Sequence, residues 1–326
     1  MSEPKGPADG PLKTGRIDAV DCARGLALIG MAAYHLSWDL ADFRLVSPML
    51  PFSPPMRLLS HFVASAFLAL VGVSLALAHR ERVNLPAFWR RLLIVCGAAA
   101  LVTGMTLVLF PGQGVWFGIL HCIAVASVVA LPFVAAPAWV SLLVGAAAVA
   151  LPFFVHSPRF DPSALLWLGL GDALPNTVDW RPLLPWGGVV LIGLGLARLP
   201  GVLERLISPW RWRAKSGAAR GVCFAGKHSL LVYLLHQFVL FPLVWSIAAS
   251  GLVATVPAPK PDMSAFLAAC QRACVTRGWS AESCAGNCRC VAGAVERSGD
   301  ADRLADLDAE RKAELQRLAD ACMGRR

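Results

Sequence analysis

Charge is scarce in this chain. Of its 326 residues only 16% are Asp, Glu, Lys or Arg, against a hydrophobic share of 56% and a mean hydropathy of +0.59. A soluble globular domain is nearer about a quarter charged. The shortage excludes an ordinary soluble domain and fits a polytopic membrane protein. Familiar catalytic motifs are also lacking. There is no GxSxG, no HExxH and no Walker loop, which leaves serine-hydrolase, zincin and P-loop chemistry without a basis. No internal repeat of the kind many transporters carry is present. The opening residues, MSEPKGPADGPLKTGR, lack the apolar run of a cleavable signal peptide. They are polar and rich in Pro and Gly, and 1–15 reads as a flexible cytoplasmic tail.

What is present is a series of apolar runs. Segments near 20–43, 58–78, 90–110, 115–133, 136–155, 182–199 and 228–249 each approach spanning length, which is on the order of 20 residues. The fourth and fifth are separated by little more than Pro132 and Pro137. The expected fold is all-α: a polytopic membrane bundle of about seven transmembrane helices over 16–250. A small cysteine-rich helical segment follows over 251–326.

The formal net charge is +9, yet the basic residues gather in a few loops. That pattern sets orientation in a membrane and does not suggest nucleic-acid binding. Lys5, Lys13, Arg16 and Arg24 lie at the start; Arg80, Arg82, Arg90 and Arg91 follow the second segment; Arg198, Arg205, Arg211, Arg213, Lys215, Arg220 and Lys227 precede the last. The alternate loops are poor in charge. The positive-inside rule places the N-terminus in the cytoplasm, and an odd number of spans places the C-terminus outside, as for a bacterial inner-membrane protein.

Past Pro257, Pro259 and Pro261 the composition changes. Cys270, Cys274, Cys284, Cys288, Cys290 and Cys322 crowd into a short polar segment. Six cysteines in a small extracytoplasmic segment read as a disulfide framework with fifteen open pairings. Cys270 and Cys274 share a helical face, and Leu304, Leu307, Leu315, Leu318 and Cys322 form an apolar stripe. These features predict a stapled helical hairpin. A thiolate zinc site is the rival; it would suit a cytoplasmic tail, and the tail has no His.

The stretch RIDAVDCARGLALIGMAAYHLSWDL, Arg16 to Leu40, is the most informative. His35 and Asp39 interrupt an apolar run, four residues apart and therefore on one helix face. Ionisable groups in hydrocarbon cost several kcal/mol unless they are paired or face a wet cavity. A carboxylate beside an imidazole orients it for general-base work near neutral pH. By the expected topology His61, His121, Asp179 and Arg181 also fall toward the outer half, with His236 about mid-depth and Tyr233 one turn before it. The candidate catalytic residues are thus His35, Asp39, His61 and His121. At the cytoplasmic mouth stand Arg24, the arginines of 80–91 and Lys227. Arg24 suits bidentate phosphate binding, and Gly25 beside it would allow close approach. Cys122 reads as a core residue, and no metal site is expected.

RIDAVDCARGLALIGMAAYH resembles the opening signature of the heparan-alpha-glucosaminide N-acetyltransferase catalytic-domain family, within the transmembrane acyltransferase superfamily. FVASAFLALVGVSLAL (62–77), WFGILHCIAVASV (116–128), DWRPLLPWGGVVLIGLGLA (179–197) and GKHSLLVYLLHQ (226–237) are similar to later blocks of that family in the same order. The resemblance covers roughly 16 to 249 and leaves out the cysteine tail. It implies a membrane enzyme that takes acetyl-CoA from the cytosol and acetylates an acceptor on the far side, typically an amino sugar. It places Arg24 in the entry motif of the fold and His35 at the active-site position; by charge and place, Arg24, Gly25 and Lys227 are the residues expected toward CoA. The lysosomal members of the family carry Asn where His35 aligns, and their catalytic His lies in the following loop. Here 44–57 has no His, so the role passes to His35, His61 or His121. The expected partners are the lipid bilayer, a glycan or cell-envelope acceptor and, as an open arrangement, a second copy of the chain. The competing class is a proton-coupled transporter or a membrane scaffold, since intramembrane His and Asp also serve proton relays.

Overall fold

The computed structural model describes residues 17–80, 82–208, 212–256, 263–276, 278–298 and 309–323, and every regular element among them is helical. The chain divides into two compact units, Met1–Val256 and Pro257–Arg326.

The first unit holds α1 (Asp18–Asp42), α2 (Pro54–Ala78), α3 (Leu85–Leu109), α4 (Ile119–Ala130), α5 (Ala138–Ala150), α6 (Ser163–Leu166), α7 (Leu183–Ala197), α8 (Val202–Ile207), α9 (Gly217–Lys227) and α10 (Ser229–Ala249). Each of the seven apolar segments contains a helix, but the expectation of seven full spans is corrected in length. Among the described residues α2, α3 and α10 are long and apolar enough to cross a membrane. α1 matches them with 25 residues but begins with Asp18, Asp21 and Arg24. α4, α5 and α7 have only 12, 13 and 15 residues. At 1.5 Å per residue α4 is about 18 Å long, against a hydrocarbon layer of roughly 30 Å. Local chemistry stops it at both ends. Gly118 is its N-cap, and Pro132 opens a short 3-10 turn, Pro132–Val134. Proline has no N–H to continue the ladder, so this turn also parts α4 from α5.

Small residues set how closely the helices pack. A Cβ on Gly72 of α2 would run into the Val190 carbonyl of α7, and one on Gly193 of α7 into the Ala69 backbone of α2. Where no hydrophobic force drives helices together, such close backbone approach supplies the van der Waals contact. Around this seam lies the main core, with Leu68, Cys122, Val190 and Leu194 fully buried. Cys122 is the core residue that its position suggests. α3 and α10 differ. The residues buried in them are Phe88, Ala98 and Ala99 in α3 and Val244 in α10.

α1 is clasped to α9 in the same manner. A Cβ on Gly25 would meet the Val222 carbonyl, and one on Gly226 the Asp21 carbonyl. Beside this crossing Cys22 and Cys223 are joined as a disulfide, a pairing outside the cysteine-rich tail.

The second unit is built of α11 (Ser264–Thr276), α12 (Ala281–Ser298) and α13 (Ala309–Met323). Cys270 pairs with Cys288 and Cys274 with Cys284, so α11 and α12 run antiparallel as a hairpin. Each helix offers its two cysteines four residues apart on one face. Cys290–Cys322 then ties on α13. The expected hairpin is therefore extended to three helices. Leu315 joins the small core of Met263, Ala292 and Val295, while Leu304 and Leu307 lie outside the described residues.

Candidate active site

A cavity of about 2550 Å³ runs beside α1, lined by that helix from Ile17 to Asp42. The 25 residues of α1 span about 37 Å at 1.5 Å per residue, so the cavity follows the whole helix. Its two ends differ in chemistry.

The first end is basic. Arg24, Arg80, Arg82, Arg91 and Lys227 line it. Arg24 is oriented from two sides: it donates to Asp21, 3.0 Å away, and to the Ser74 hydroxyl on α2. Such a cluster of cations is complementary to phosphate. Gly25 does not face this space. It is buried against Val222, so the missing side chain serves the α1–α9 crossing.

At the other end α1, α2, α10 and the loop before α7 bring polar groups together. His35 and His236 stand with ring centroids 4.8 Å apart. The nitrogen Nδ1 of His236 lies 2.6 Å from the Tyr233 carbonyl. A carbonyl oxygen only accepts, so Nδ1 carries the hydrogen and Nε2 presents a lone pair. That Nε2 is buried without a hydrogen-bond partner among the described residues. Asp39 is engaged differently from the sequence expectation. Its carboxylate accepts from the Gln237 amide at 2.6 Å, so its bonded partner is α10 and not His35. Asp39 Oδ2 and Gln237 Oε1 are likewise buried without partners among the described residues. Orphaned buried polar atoms are rare in folded proteins and mark places where a ligand or water completes the network.

Arg181 supplies the positive charge at this end. Its Nη2 donates to Ser60 on α2 at 2.6 Å, and the guanidinium lies over the Trp186 ring, 5.2 Å from its centroid. Asp179 also lines the cavity and accepts from the Ile119 N–H at 2.8 Å, satisfying the first turn of α4. Burial pushes the Asp179 carboxyl up, partly offset by Arg181, the Ile119 N–H and His121.

Of the sequence candidates, His35, Asp39, Arg24 and Lys227 line the cavity. His61 and His121 are not among its lining residues. His61 is exposed, bonded through Nδ1 to the Arg57 carbonyl at 2.7 Å, with its ring against Trp186. His121 takes the Gly118 N–H on Nδ1 and faces the Thr103 hydroxyl with Nε2, both at 3.3 Å. It thereby braces the start of α4. The site also contains Gln237, Ser60 and Ser74, polar residues that sequence reasoning passed over. Only Gln237 had a usable signal, an amide directly after His236 in an apolar helix.

The family profile described as heparan-alpha-glucosaminide N-acetyltransferase, catalytic, matches residues 16–238. No curated protein and no solved structure matches the chain. The matched range begins just before α1, ends within α10 and takes in every residue of both cavity ends named above. The chain belongs to the heparan-alpha-glucosaminide N-acetyltransferase catalytic family.

Proposed function

We propose that this protein is a membrane N-acetyltransferase that carries an acetyl group from acetyl-CoA to an amine on a sugar or cell-envelope acceptor. Family membership supports the reaction class. The single observation that carries the reading is the continuous cavity that joins a cationic end to a polar, partly unsatisfied end.

Arg24, Arg91 and Lys227 hold the phosphates of CoA at the first end, which faces the cytoplasm. Eleven helical positions, about 16 Å, separate Arg24 from His35, a distance that an extended pantetheine arm covers. The thioester carbonyl then lies near Arg181, whose charge stabilises the oxyanion that develops there. The acceptor amine arrives at the second end. As its nitrogen attacks, a new C–N bond forms and the thioester C–S bond breaks. The amine proton passes to an imidazole, Nε2 of His236 or the facing His35, and from there to the departing CoA sulfur. The Asp39–Gln237 bond holds α1 and α10 in register, so the two rings keep their distance. His61 and His121 brace α2 and α4. Transfer is direct, without an acetylated histidine.

The test uses the protein in nanodiscs, radiolabelled acetyl-CoA and a glucosamine acceptor. The expected result is saturable CoA binding and labelled acetamide. Folded protein that binds no acetyl-CoA would overturn the reading and bring forward a proton-coupled transporter, which has no need of CoA.

A further inference from the structure

The cavity has a wall that transfer between two water-soluble partners does not require. It is formed by α3 and α10. Ala98 and Ala99 of α3 and Leu120 of α4 form a small buried cluster, against which Leu230 and Leu234 of α10 pack. Farther along, Leu101, Met105 and Leu109 of α3 and Leu235, Phe238 and Phe241 of α10 line the cavity. Leu101 is 52% exposed and Phe238 57%, although both lie in helices of membrane-crossing length. From Leu101 to Leu109 the α3 side carries no charge. The α10 side leads straight to the reacting end, because Leu235 and Phe238 flank His236 and Gln237 in sequence.

Three physical points bear on what occupies this wall. Pockets for a single drug-sized ligand are roughly 300–1,000 Å³, so about 2550 Å³ leaves space beside CoA for a second, elongated molecule. Aliphatic and aromatic side chains left uncovered at membrane depth are matched by acyl chains, which are as apolar as Leu. A free sugar would gain nothing from such a wall, since its hydroxyls would lose water without finding partners.

We propose that the acceptor is an amphiphile: an amino sugar carried on a hydrocarbon anchor that enters from the bilayer along the wall between α3 and α10. The anchor lies against Leu101, Met105, Leu109 and Phe238, and the amine reaches His35 and His236. The bonds made and broken are those of the transfer given above, and the assignment rests on that reading.

The experiment compares dodecyl glucosaminide with methyl glucosaminide as acceptors for the full-length protein in nanodiscs, with radiolabelled acetyl-CoA. The dodecyl acceptor is expected to show a KM at least tenfold lower. Met105→Trp and Phe238→Trp, which fill the wall, are expected to bring the KM ratio of the two acceptors toward one. Partition into the bilayer alone would lower KM equally in wild type and variants, and that result overturns the assignment. A diazirine-bearing dodecyl glucosaminide, used on wild type, tests the wall without a substitution. Labelling of α3 and α10 peptides, displaced by unlabelled dodecyl glucosaminide and not by dodecanol, supports it. Labelling elsewhere overturns it. Equal KM for both acceptors removes the anchor and leaves acetyl transfer standing. Loss of acetyl-CoA binding together with transfer to either acceptor is instead the failure of the acetyltransfer reading, and the acceptor falls with it.

Discussion

His35 of α1 and His236 of α10 face one another with ring centroids 4.8 Å apart. The bond from His236 Nδ1 to the Tyr233 carbonyl fixes which nitrogen is the acceptor. His236→Gln keeps a polar side chain but cannot take up a proton. Its acetyl-transfer rate is expected to fall by on the order of 10²–10⁴, with acetyl-CoA affinity within about twofold. His35→Gln should fall by a smaller factor, because the Nε2 of His236 is still available. A wild-type rate in His236→Gln would move the base to His35.

Arg24 lies between Asp21 and Ser74 at the basic end. Hydrogen bonds to charged groups contribute about 1.5–3 kcal/mol, so Arg24→Ala should weaken acetyl-CoA binding by roughly 10- to 100-fold. Titration calorimetry reads this directly. Ser74→Ala removes the brace from α2 and leaves the charge, and should weaken binding less. Equal effects of the two variants would assign Arg24 to packing alone.

The glycines of α9 and α3 make opposite predictions. A Cβ at position 226 collides with the Asp21 carbonyl, whereas nothing lies within 4 Å of a Cβ at 104. Gly226→Ala should destabilise the protein by about 1–3 kcal/mol, as overpacking does. Gly104→Ala should be neutral or stabilise by roughly 0.5–1 kcal/mol, through the lower backbone entropy of alanine in the unfolded chain. Thermal unfolding in detergent distinguishes them. Equal Tm values would show that α1 and α9 do not pack as described.

The four disulfides are expected to differ in cells. Cys270–Cys288, Cys274–Cys284 and Cys290–Cys322 belong to a unit with a small core, the kind that oxidising compartments stabilise by cross-links. Cys22 and Cys223 lie at the Arg24 end, which we place in the cytoplasm, where thiols are kept reduced. Acid quenching of cells, then alkylation under denaturing conditions and mass spectrometry, should find Cys22 and Cys223, which are buried in the fold, alkylated and the other six only after reductant. Protection of Cys22 and Cys223 in the cell would invert the proposed orientation.

Much of the first unit was legible from its apolar runs, because a helix in lipid must satisfy its own backbone and so announces itself as an uninterrupted segment. The break between α4 and α5 was the faintest of these signals, marked only by Pro132 and Pro137, and the turn does fall at Pro132. The limits of that signal appear in α4 and α7. Gly118 and Pro132 shorten α4 inside a run that stays apolar, and in α7 the non-helical Leu184 interrupts the first turn. At the site, the i,i+4 spacing of His35 and Asp39 correctly put both residues on one face and into one cavity. It also suggested a bond between them, and the Asp39 carboxylate goes to Gln237 instead. His61 and His121 were singled out by expected depth, but depth does not fix the direction in which a side chain points around its helix.

By itself the sequence determined the helical class, the apolar segments, the cationic loops and the separate cysteine-rich unit. Each of these follows from local composition and spacing, which act within a few turns of chain. Only the tertiary structure decided that His236 faces His35, that Gly25 packs against α9 and not toward the cavity, which cysteines pair, and that α3 and α10 line the cavity with apolar side chains beside His236. Those outcomes depend on how backbones far apart in sequence approach one another. In this chain that approach is set by glycines and small side chains, whose effect becomes visible only once the opposing helix is in place.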